Sequence, residues 1–456
     1  MHDLHTDPIC ALATANGVGA IAVIRVSGVN AKQLVSKTFS KDLSSLPSHT
    51  VHLGWILSAS QERLDEVLAT IFDHGKSFTG EESVELACHG SPYIQQLLLQ
   101  RLVEVGCRMA EPGEFTKRAF LNGRMDLSQA EAVADLIAAQ SKQAHQVALQ
   151  QLRGRFSSEL QQLREQLINF AALIELELDF GEEDVEFADR SSLEQLVASV
   201  LQMVRRLAAS FELGNAIKHG VPVAIVGAPN TGKSTLLNQL LGEERAIVSN
   251  IAGTTRDVIE EVLNIEGIQF RLIDTAGIRE TSETIEALGI ERSQQKIEQA
   301  KIVLCLADSG DAANLQETME WVKSLKTLHP DKNILLILNK ADLSSLIPNN
   351  NEEALIISAL NGQGITELKN ILVELTLGDF SIQDETIVSN ARHHAALQLT
   401  AAALERAQAG LDGQTTADFI AMDIREAMRQ LGHITGQIDV DTDILGTIFS
   451  KFCIGK

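Results

Sequence analysis

The chain has 456 residues, 45% of them hydrophobic and 22% charged, a composition that excludes wholesale disorder and a single small module. Lys and Arg total 38 against 61 Asp and Glu, so the formal net charge is −23 at pH 7. A protein that binds phosphate backbones unaided is usually basic, and this balance therefore argues against broad wrapping of nucleic acid.

Short β-rich runs alternate with a helical pattern in residues 1–120, which predicts a small α+β domain. Residues 19–26 and 66–72 give the clearest strand patterns, and residues 94–105 have apolar side chains at helical spacing. The first domain is therefore predicted to end near residue 120.

Proline placement indicates where long helices lie, because proline is poorly tolerated inside a helix. No proline occurs between Pro112 and Pro222, and none occurs after Pro348. We therefore expect residues 121–216 and 381–456 to form the two parts of one all-α helical domain.

The first helical part has apolar residues at helical spacing from Ser128 to Leu178, which predicts long helices. An acidic, glycine-containing segment from Glu175 to Asp189 interrupts this pattern and is predicted to be a solvated loop. A further helical region is expected to end near Ala216.

Apolar runs typical of buried parallel strands alternate with helix-length segments between residues 217 and 380. This alternation predicts a doubly wound α/β domain inserted between the two helical parts. The runs are VPVAIVG at 221–227, IVLCLAD at 302–308, NILLILN at 333–339 and ALIIS at 354–358.

Five cysteines are scattered along the chain without a C-x-x-C pair, which argues against a disulfide framework or a zinc site. The N-terminus has neither the basic nor the apolar region of a signal peptide, and apolar runs such as residues 334–338 are too short to span a bilayer. A cytoplasmic protein without membrane association is expected.

Residues Gly227 to Ser234 match G-x-x-x-x-G-K-[ST], directly after a strand pattern and before a helical run. Such a loop directs backbone N–H groups at a β-phosphate, while Lys233 reaches β- and γ-phosphate oxygens and Ser234 offers its hydroxyl to Mg²⁺. We predict that Lys233 also contributes to catalysis. The predicted nucleotide-binding residues of this loop are Asn230, Thr231, Gly232, Lys233, Ser234 and Thr235.

Two further motifs of a GTPase follow in the expected order. In GTTRD, the hydroxyl of Thr255 could complete the Mg²⁺ shell when a γ-phosphate is bound. In DTAG, Asp274 would lie near the metal, and Gly277 would offer its N–H to the γ-phosphate. The predicted nucleotide-binding residues of these segments are Ser249, Asn250, Ile251, Ala252, Gly253, Thr254, Thr255, Asp274, Thr275, Ala276 and Gly277.

The NKAD motif is predicted to read the base, because the Asp342 carboxylate can accept from N1–H and the 2-amino group of guanine. Adenine has no such donor pair and would leave the carboxylate unpaired, so a nucleotide with adenine should bind much more weakly. Four motifs in this order predict GTP binding. The other residues expected at the base are Asn339, Lys340, Ser358, Ala359 and Leu360.

Two groups that support hydrolysis in other GTPases are missing from these motifs. Ile278 follows DTAG, where Ras-like enzymes have a glutamine that orients the attacking water, and isoleucine cannot do so. The acidic residues 279–292 are a candidate segment for this task. Arg256 and Arg279 could act as arginine fingers, although a surface role for either fits the sequence equally well.

Five segments that span the chain together resemble one family: GVGAIAVIRVSG, FTGEESVELACHG, EPGEFTKRAFLNGRMDLSQAEAVADLI, IAGTTRDV and the terminal FCIGK. They are similar to the MnmE, or TrmE, family of GTPases that modify the wobble uridine of tRNA. The resemblance implies an N-terminal folate-binding and dimerisation domain, a homodimer, and a heterotetramer with an MnmG-type flavoprotein that carries FAD.

The resemblance also implies a reaction: a K⁺-stimulated GTP hydrolase that installs an aminomethyl or carboxymethylaminomethyl group on uridine C5. The one-carbon unit would come from a tetrahydrofolate derivative, 5-formyl or 5,10-methylene. The implied metal contacts are Ser234 and Thr255 for Mg²⁺ and Asn230, Ser249, Ile251 and Thr254 for K⁺. The other implied site residues are Glu286 to orient water, and Arg25, Glu85, Arg124 and Lys456 to contact folate.

A folate site is also chemically reasonable, because a pterin ring presents a donor edge like that of guanine. Glu85 could pair with this edge, and the basic residues could bind the carboxylates of the glutamate tail. Without the resemblance, Glu85 or Arg25 would ordinarily be interpreted as half of a surface ion pair. Some relatives have lysine at the position of Arg124, whose forked guanidinium has a different geometry.

Cys453 lies four residues from the end of the sequence, but the glycine and lysine that follow are atypical of a prenylation signal. A buried inert thiol is the ordinary interpretation. The resemblance instead implies a catalytic thiol beside folate, and both interpretations stay open at this point.

Two other functions also stay open: a ribosome-assembly GTPase, and a scaffold that hydrolyses GTP to time assembly with a partner. The first can share the GTTRD and NKxD motifs, but it would be expected to carry a basic RNA-binding module. This chain ends instead in an acidic-to-neutral helical segment. Ile278 is compatible with the second, because it implies slow basal hydrolysis.

Overall fold

The structure, a computed structural model, describes residues 7–179, 190–244, 261–273, 294–343, 354–378, 385–413, 416–437 and 455. The chain divides into two compact units. The first unit comprises Met1–Ile137, Gln151–Val197 and Ala403–Lys456, and the second comprises Ala138–Gln150 and Ala198–Ala402. Within the described ranges, the helices are all too short or too polar to cross a membrane.

A six-stranded sheet in the order β3-β4-β5-β2-β1-β6 forms the N-terminal part of the first unit. Its pairs are antiparallel except β1 with β6. The predicted strands at 19–26 and 66–72 correspond to β2 and β4, and the predicted helix at 94–105 corresponds to α2. The elements are β1 Ile9–Leu12, β2 Ile21–Ser27, α1 Ala31–Ser36, β3 Thr50–Leu57, β4 Arg63–Phe72, β5 Ser83–His89, α2 Pro92–Glu104, β6 Arg108–Met109 and α3 Glu114–Leu121.

A partly buried cluster of charged residues connects helix α3 to the loops around this sheet. The side chain of Arg118 is only 6% exposed and donates to Glu81, Glu114 and Asp7. Arg108 bonds two of the same carboxylates, at 2.7 Å from Asp7 and 2.7 Å from Glu114. Burial raises the pKa of Glu114, but Arg108, the Glu111 N–H and Arg118 together hold it below its usual value.

We expect Arg118→Met to destabilise this sheet by about 1 to 3 kcal/mol, because it removes the buried guanidinium that bonds Glu81 and Glu114, while Arg108 still bonds Glu114. Since the folded-state pKa of Glu114 is lowered, its contribution is present above its unfolded pKa and is lost as pH falls through the folded value. The difference from wild type should therefore shrink below about pH 4. Hydrogen exchange of β2 and β5 amides measures it, with Arg429→Met at an exposed ion pair as control.

The helices between residues 121 and 216 end and restart at positions that the sequence pattern did not predict. The stretch expected from Ser128 to Leu178 contains three helices, with interruptions at 139–141 and at Gly154, whose φ of 82° suits glycine. Residues 175–179, predicted to be loop, continue the helix Arg155–Asp179 (α6), because their Glu and Leu residues favour helix despite the charge. Residues 180–189 lie outside the described ranges. The helices are α4 Leu127–Ala138, α5 Lys142–Leu152, α6 Arg155–Asp179, α7 Arg190–Ala209 and α8 Phe211–His219.

The second unit contains a sheet in the order β12-β11-β10-β7-β9-β8, whose strands run parallel except for the edge strand β8. Alternate residues of β7 pack into two separate apolar cores, Val223 and Ile225 in one and Ala224 and Val226 in the other. The sheet is therefore buried on both faces, as the continuous apolar runs predicted. The strands are β7 Val221–Gly227, β8 Glu261–Ile265, β9 Ile268–Leu272, β10 Ile302–Asp308, β11 Asn333–Asn339 and β12 Ala354–Ile356.

Helices alternate with these strands along the chain, and further helices follow the last strand. Residues 294–299 are also helical. The predicted helical character of the last part of the chain is confirmed where the structure describes it. The remaining helices are α9 Lys233–Glu244, α10 Ala312–Leu328, α11 Ile365–Leu377, α12 Ala391–Asp412 and α13 Ala417–Thr435.

Candidate functional site

The loop between β7 and α9 has a conformation that requires its glycines. Gly227 has φ 148°, and a Cβ there would overlap the carbonyl oxygen of Leu306 on β10. Gly232 has φ 95°, and a Cβ there would overlap the side-chain amide of Asn339. Asn230, between them, adopts the left-handed conformation at φ 63°. The loop thus fits the predicted phosphate-binding motif, which needs close approach of backbone to ligand.

Lys233 opens helix α9 and folds its side chain back over the loop. Its Nζ donates to the carbonyl oxygens of Gly227 at 2.9 Å and of Ala228 at 2.7 Å. Burial, with a smaller contribution from Lys296, lowers the pKa of the Lys233 ammonium. A polyphosphate would be a stronger acceptor than two neutral carbonyls, so the ammonium is placed to transfer its hydrogen bonds to an anion.

Asn339 joins three of the predicted nucleotide loops through one buried side chain. It lies at the end of β11 and is 2% exposed. Its Nδ2 donates to the carbonyl oxygen of Thr231 at 2.8 Å, and its Oδ1 accepts from the N–H of Ala359 at 2.9 Å. The phosphate loop and the two base loops are therefore held in one fixed arrangement.

Asp342 is exposed, and its carboxylate is oriented by one of the other predicted base residues. Ser358 Oγ donates to Asp342 Oδ1 at 2.5 Å, which leaves Oδ2 for another donor. Leu360 is 73% exposed beside the same loop. An acceptor that faces solvent next to an exposed apolar side chain suits a flat ring that presents N–H donors.

Asp308 is a residue of this site that the sequence motifs missed. It ends β10, and its Oδ2 lies 2.6 Å from Nζ of Lys340 in the NKAD loop. Its position at the end of an apolar strand pattern could have identified it as a candidate site residue, because the carboxyl ends of adjacent parallel strands meet at one edge of a sheet.

Two of the residues proposed for folate, Arg25 and Glu85, lie on the N-terminal sheet, and Arg124 lies in the segment after helix α3. Arg25 and Glu85 face each other in register on β2 and β5, with Arg25 Nε 2.9 Å from Glu85 Oε1. The Arg25 guanidinium lies 5.3 Å from the ring centre of Phe78 and 5.6 Å from that of Phe115. Arg124 donates to the Gly75 carbonyl at 3.2 Å, on the loop that carries Phe78. Arg25, Glu85, Phe78 and Phe115 thus form one cluster, here called the Arg25 cluster, and Arg124 bonds the loop that carries Phe78.

Gly455, from the terminal FCIGK segment, packs against the end of β1. Its φ is 100°, and a Cβ there would overlap the carbonyl oxygen of Leu12. Leu12 pairs with Ile24 on β2, and the preceding Ala11 pairs with Arg25. Gly455 therefore lies against the strand next to the Arg25 cluster.

Ser234 and Thr235 follow Lys233 in the first turn of helix α9. The predicted site residues not yet placed lie outside the described residues. Among residues that the structure does describe, no group of three or more His, Cys, Asp or Glu side chains is placed to hold a metal ion. The predicted residues outside the described ranges are Ser249, Asn250, Ile251, Ala252, Gly253, Thr254, Thr255, Asp274, Thr275, Ala276, Gly277, Glu286, Cys453 and Lys456.

The chain matches known proteins over almost its entire length. Residues 8–124 match the family described as GTP-binding protein TrmE N-terminus, and residues 127–453 match the MnmE helical domain. A protein of Christiangramia forsetii named tRNA modification GTPase MnmE is 50% identical over 472 residues, which cover 99% of each chain. A protein of the same name from Cytophaga hutchinsonii is 52% identical over 459 residues, 99% of this chain and 98% of that one.

A solved structure of Era in complex with MgGDPNP and part of 16S ribosomal RNA is 31% identical over 40% of this chain and 66% of that chain. Its TM-score of 0.26 is too low to support a structural argument. The family assignment rests instead on the two family matches and on the full-length identity to named relatives. The chain therefore belongs to the MnmE family of tRNA modification GTPases.

Proposed function

We propose that this protein hydrolyses GTP at the loop of Gly227 to Ser234 and uses the hydrolysis in the modification of C5 of the wobble uridine of tRNA. The observation that carries the proposal is the Asn339 side chain, which joins the phosphate loop to both base loops. The glycine-rich loop suits phosphates, and the Asp342 carboxylate held by Ser358 suits the donor edge of guanine. Full-length relatives named tRNA modification GTPase support the wider role.

The proposed metal sites lie at the same loop. Ser234 is the second residue of helix α9, and with Thr255 it would hold Mg²⁺, the ion that neutralises charge between the β- and γ-phosphates. Asn230, Ser249, Ile251 and Thr254 would offer oxygens to K⁺, which would stand in for an arginine finger. Glu286 would then orient the water that Ile278 cannot.

The N-terminal region is proposed to be a folate-binding domain. Arg25, whose guanidinium lies over the rings of Phe78 and Phe115 and is paired with Glu85, gives a donor, an acceptor and apolar surface in one place, which suits a ring with a polar edge. Packing of Gly455 against Leu12 supports a contribution from Cys453 and Lys456. A bound tetrahydrofolate derivative, 5-formyl or 5,10-methylene, would supply the one-carbon unit.

The proposed architecture has a G domain at 217–380 inserted between helical parts at 121–216 and 381–456, after the N-terminal domain at 1–120. The first compact unit, which draws on both ends of the chain, supports this arrangement. The proposed assembly is a cytoplasmic homodimer that forms a heterotetramer with an MnmG-type flavoprotein, and FAD binds only to that partner.

The proposal is tested with purified protein in two assays. GTP should be hydrolysed and ATP should not, because adenine leaves the Asp342 carboxylate unpaired. With the flavoprotein, a tetrahydrofolate donor, an amine source and unmodified tRNA, modified uridine should form only in the presence of GTP. Equal hydrolysis of ATP, or modification that does not need this chain, would contradict the proposal.

We expect hydrolysis to be fast in K⁺ and slow in Na⁺ at equal ionic strength, because a cation must offset charge that an arginine finger, worth roughly 10³ to 10⁵ in rate, offsets elsewhere. Asn230→Ala should lose the K⁺ stimulation, while the control Asn264→Ala on β8 should keep it. Glu286→Ala should bind GTP and lose hydrolysis. Equal rates in both salts would rule out the K⁺ site.

A further inference from the structure

Asp308 is fixed on both of its carboxylate oxygens at the edge of the sheet where the base loops begin. Oδ2 lies 2.6 Å from Nζ of Lys340, and Oδ1 accepts from the N–H of Gly310 at 2.9 Å. Asp308 is in register with Asn339 on β11, and the N–H of Ser309 donates to the Asn339 carbonyl at 2.9 Å. The carboxylate is therefore an integral part of the strand ends that carry NKAD.

The ion pair between Asp308 and Lys340 is partly buried, so it can help to hold the NKAD loop in place. The two side chains are 24% and 31% exposed, so water screens the pair less than it screens a surface pair. Burial alone would raise the pKa of Asp308, but Lys340 and the Gly310 N–H lower it below its usual value. The carboxylate is therefore ionised at neutral pH.

Lys340 has a backbone conformation that its neighbours must maintain. Its φ is 64°, a left-handed conformation that costs a residue with a Cβ roughly 1 to 2 kcal/mol. Such strain persists only where surrounding contacts enforce it. On one side of Lys340, the Asn339 side chain is bonded to Thr231. On the other side, the Ala341 N–H donates to the Ile357 carbonyl. Asp308 holds the Lys340 side chain itself.

We propose that Asp308 is a positioning residue for guanine recognition, acting through Lys340 to hold the turn that aims the Asp342 carboxylate. The inference rests on the proposed function, in which Asp342 accepts from the guanine ring. Asp308 does not touch the base. It holds the Lys340 side chain, so that the left-handed turn at Lys340 and the Ser358 bond to Asp342 are satisfied together.

The test compares GDP with IDP, whose base lacks the 2-amino group that Asp342 accepts from. In the full-length protein, Asp308→Ala should weaken GDP binding about tenfold and IDP binding less, so that the preference for GDP falls. Asp308→Asn keeps the shape and an acceptor oxygen and should retain part of the preference. The matched control is Asp311→Ala, an acid three residues away on the same loop, which should bind both nucleotides as wild type does.

A double-mutant cycle separates positioning from a general effect on stability. If Asp308 acts through Lys340, adding Asp308→Ala to Lys340→Ala should not change the GDP to IDP ratio further. A ratio like that of wild type in both Asp308 variants, with only a lower melting temperature, would overturn the inference. If Asp308→Ala does not fold, the Asp308→Asn ratio decides. Failure of the wild type to prefer GDP over ADP would instead overturn the proposed function.

Discussion

Asp342→Asn should weaken GTP binding at least about a hundredfold, or about 3 kcal/mol. In the structure Ser358 Oγ donates to one oxygen of Asp342. In the variant Ser358 would retain the amide oxygen as its acceptor, and the amide N–H₂ would then face the two donors of guanine. Two opposed donors lose both hydrogen bonds and leave polar groups unpaired where the bound base excludes water, which is why the change costs more than one bond.

Xanthosine triphosphate supplies the diagnostic control, because its ring presents an acceptor where guanine has the 2-amino donor. The variant should bind this nucleotide better than wild type does, as measured by titration calorimetry. The control is Asp311→Asn, at an exposed aspartate directly before helix α10, which should leave both affinities unchanged. Undiminished GTP binding by the Asp342 variant would show that the base is read elsewhere.

Local patterns in the sequence predicted most of the α/β unit. The apolar runs of β7, β10 and β11 correspond to observed strands, and the phosphate loop lies between β7 and α9 as its motif requires. Strand β8 was missed because it is an antiparallel edge strand that contains Glu261 and Asn264, without a continuous apolar run. The phosphate loop could be recognised in the sequence because its glycines, lysine and serine have a fixed spacing between a strand pattern and a helical run.

Contacts between distant residues could not be predicted in this way. Asp308 meets Lys340 only because β10 and β11 are adjacent and in register, and neither relationship is present in the sequence around Asp308. The same holds for Asn339 and Thr231, which are 108 residues apart. The helix break at Gly154 is a local feature, but helical spacing continues across it, so periodicity alone did not reveal it.

The terminal FCIGK segment is where a small change should have a large and selective effect. Gly455→Ala should abolish most tRNA modification and weaken binding of a reduced folate at least about tenfold. The reason is steric: at φ 100° a Cβ overlaps the carbonyl oxygen of Leu12, a backbone atom of a paired strand that cannot move aside cheaply. Gly455 must therefore leave β1, and we expect the change to displace its chain neighbours Cys453 and Lys456 from the proposed folate site.

Gly106→Ala is the matched control for Gly455→Ala, because Gly106 has a similar φ of 117° and a Cβ there would meet only the Leu34 side chain, at 3.6 Å. Both substitutions strain the backbone, but only Gly455→Ala also displaces the terminal segment. GTP hydrolysis should stay within about twofold of wild type in both variants, because the nucleotide loops belong to the other compact unit. Deletion of the last four residues should reproduce the Gly455→Ala result. If hydrolysis falls in parallel with modification, the terminal segment supports the folded structure and does not form a one-carbon site.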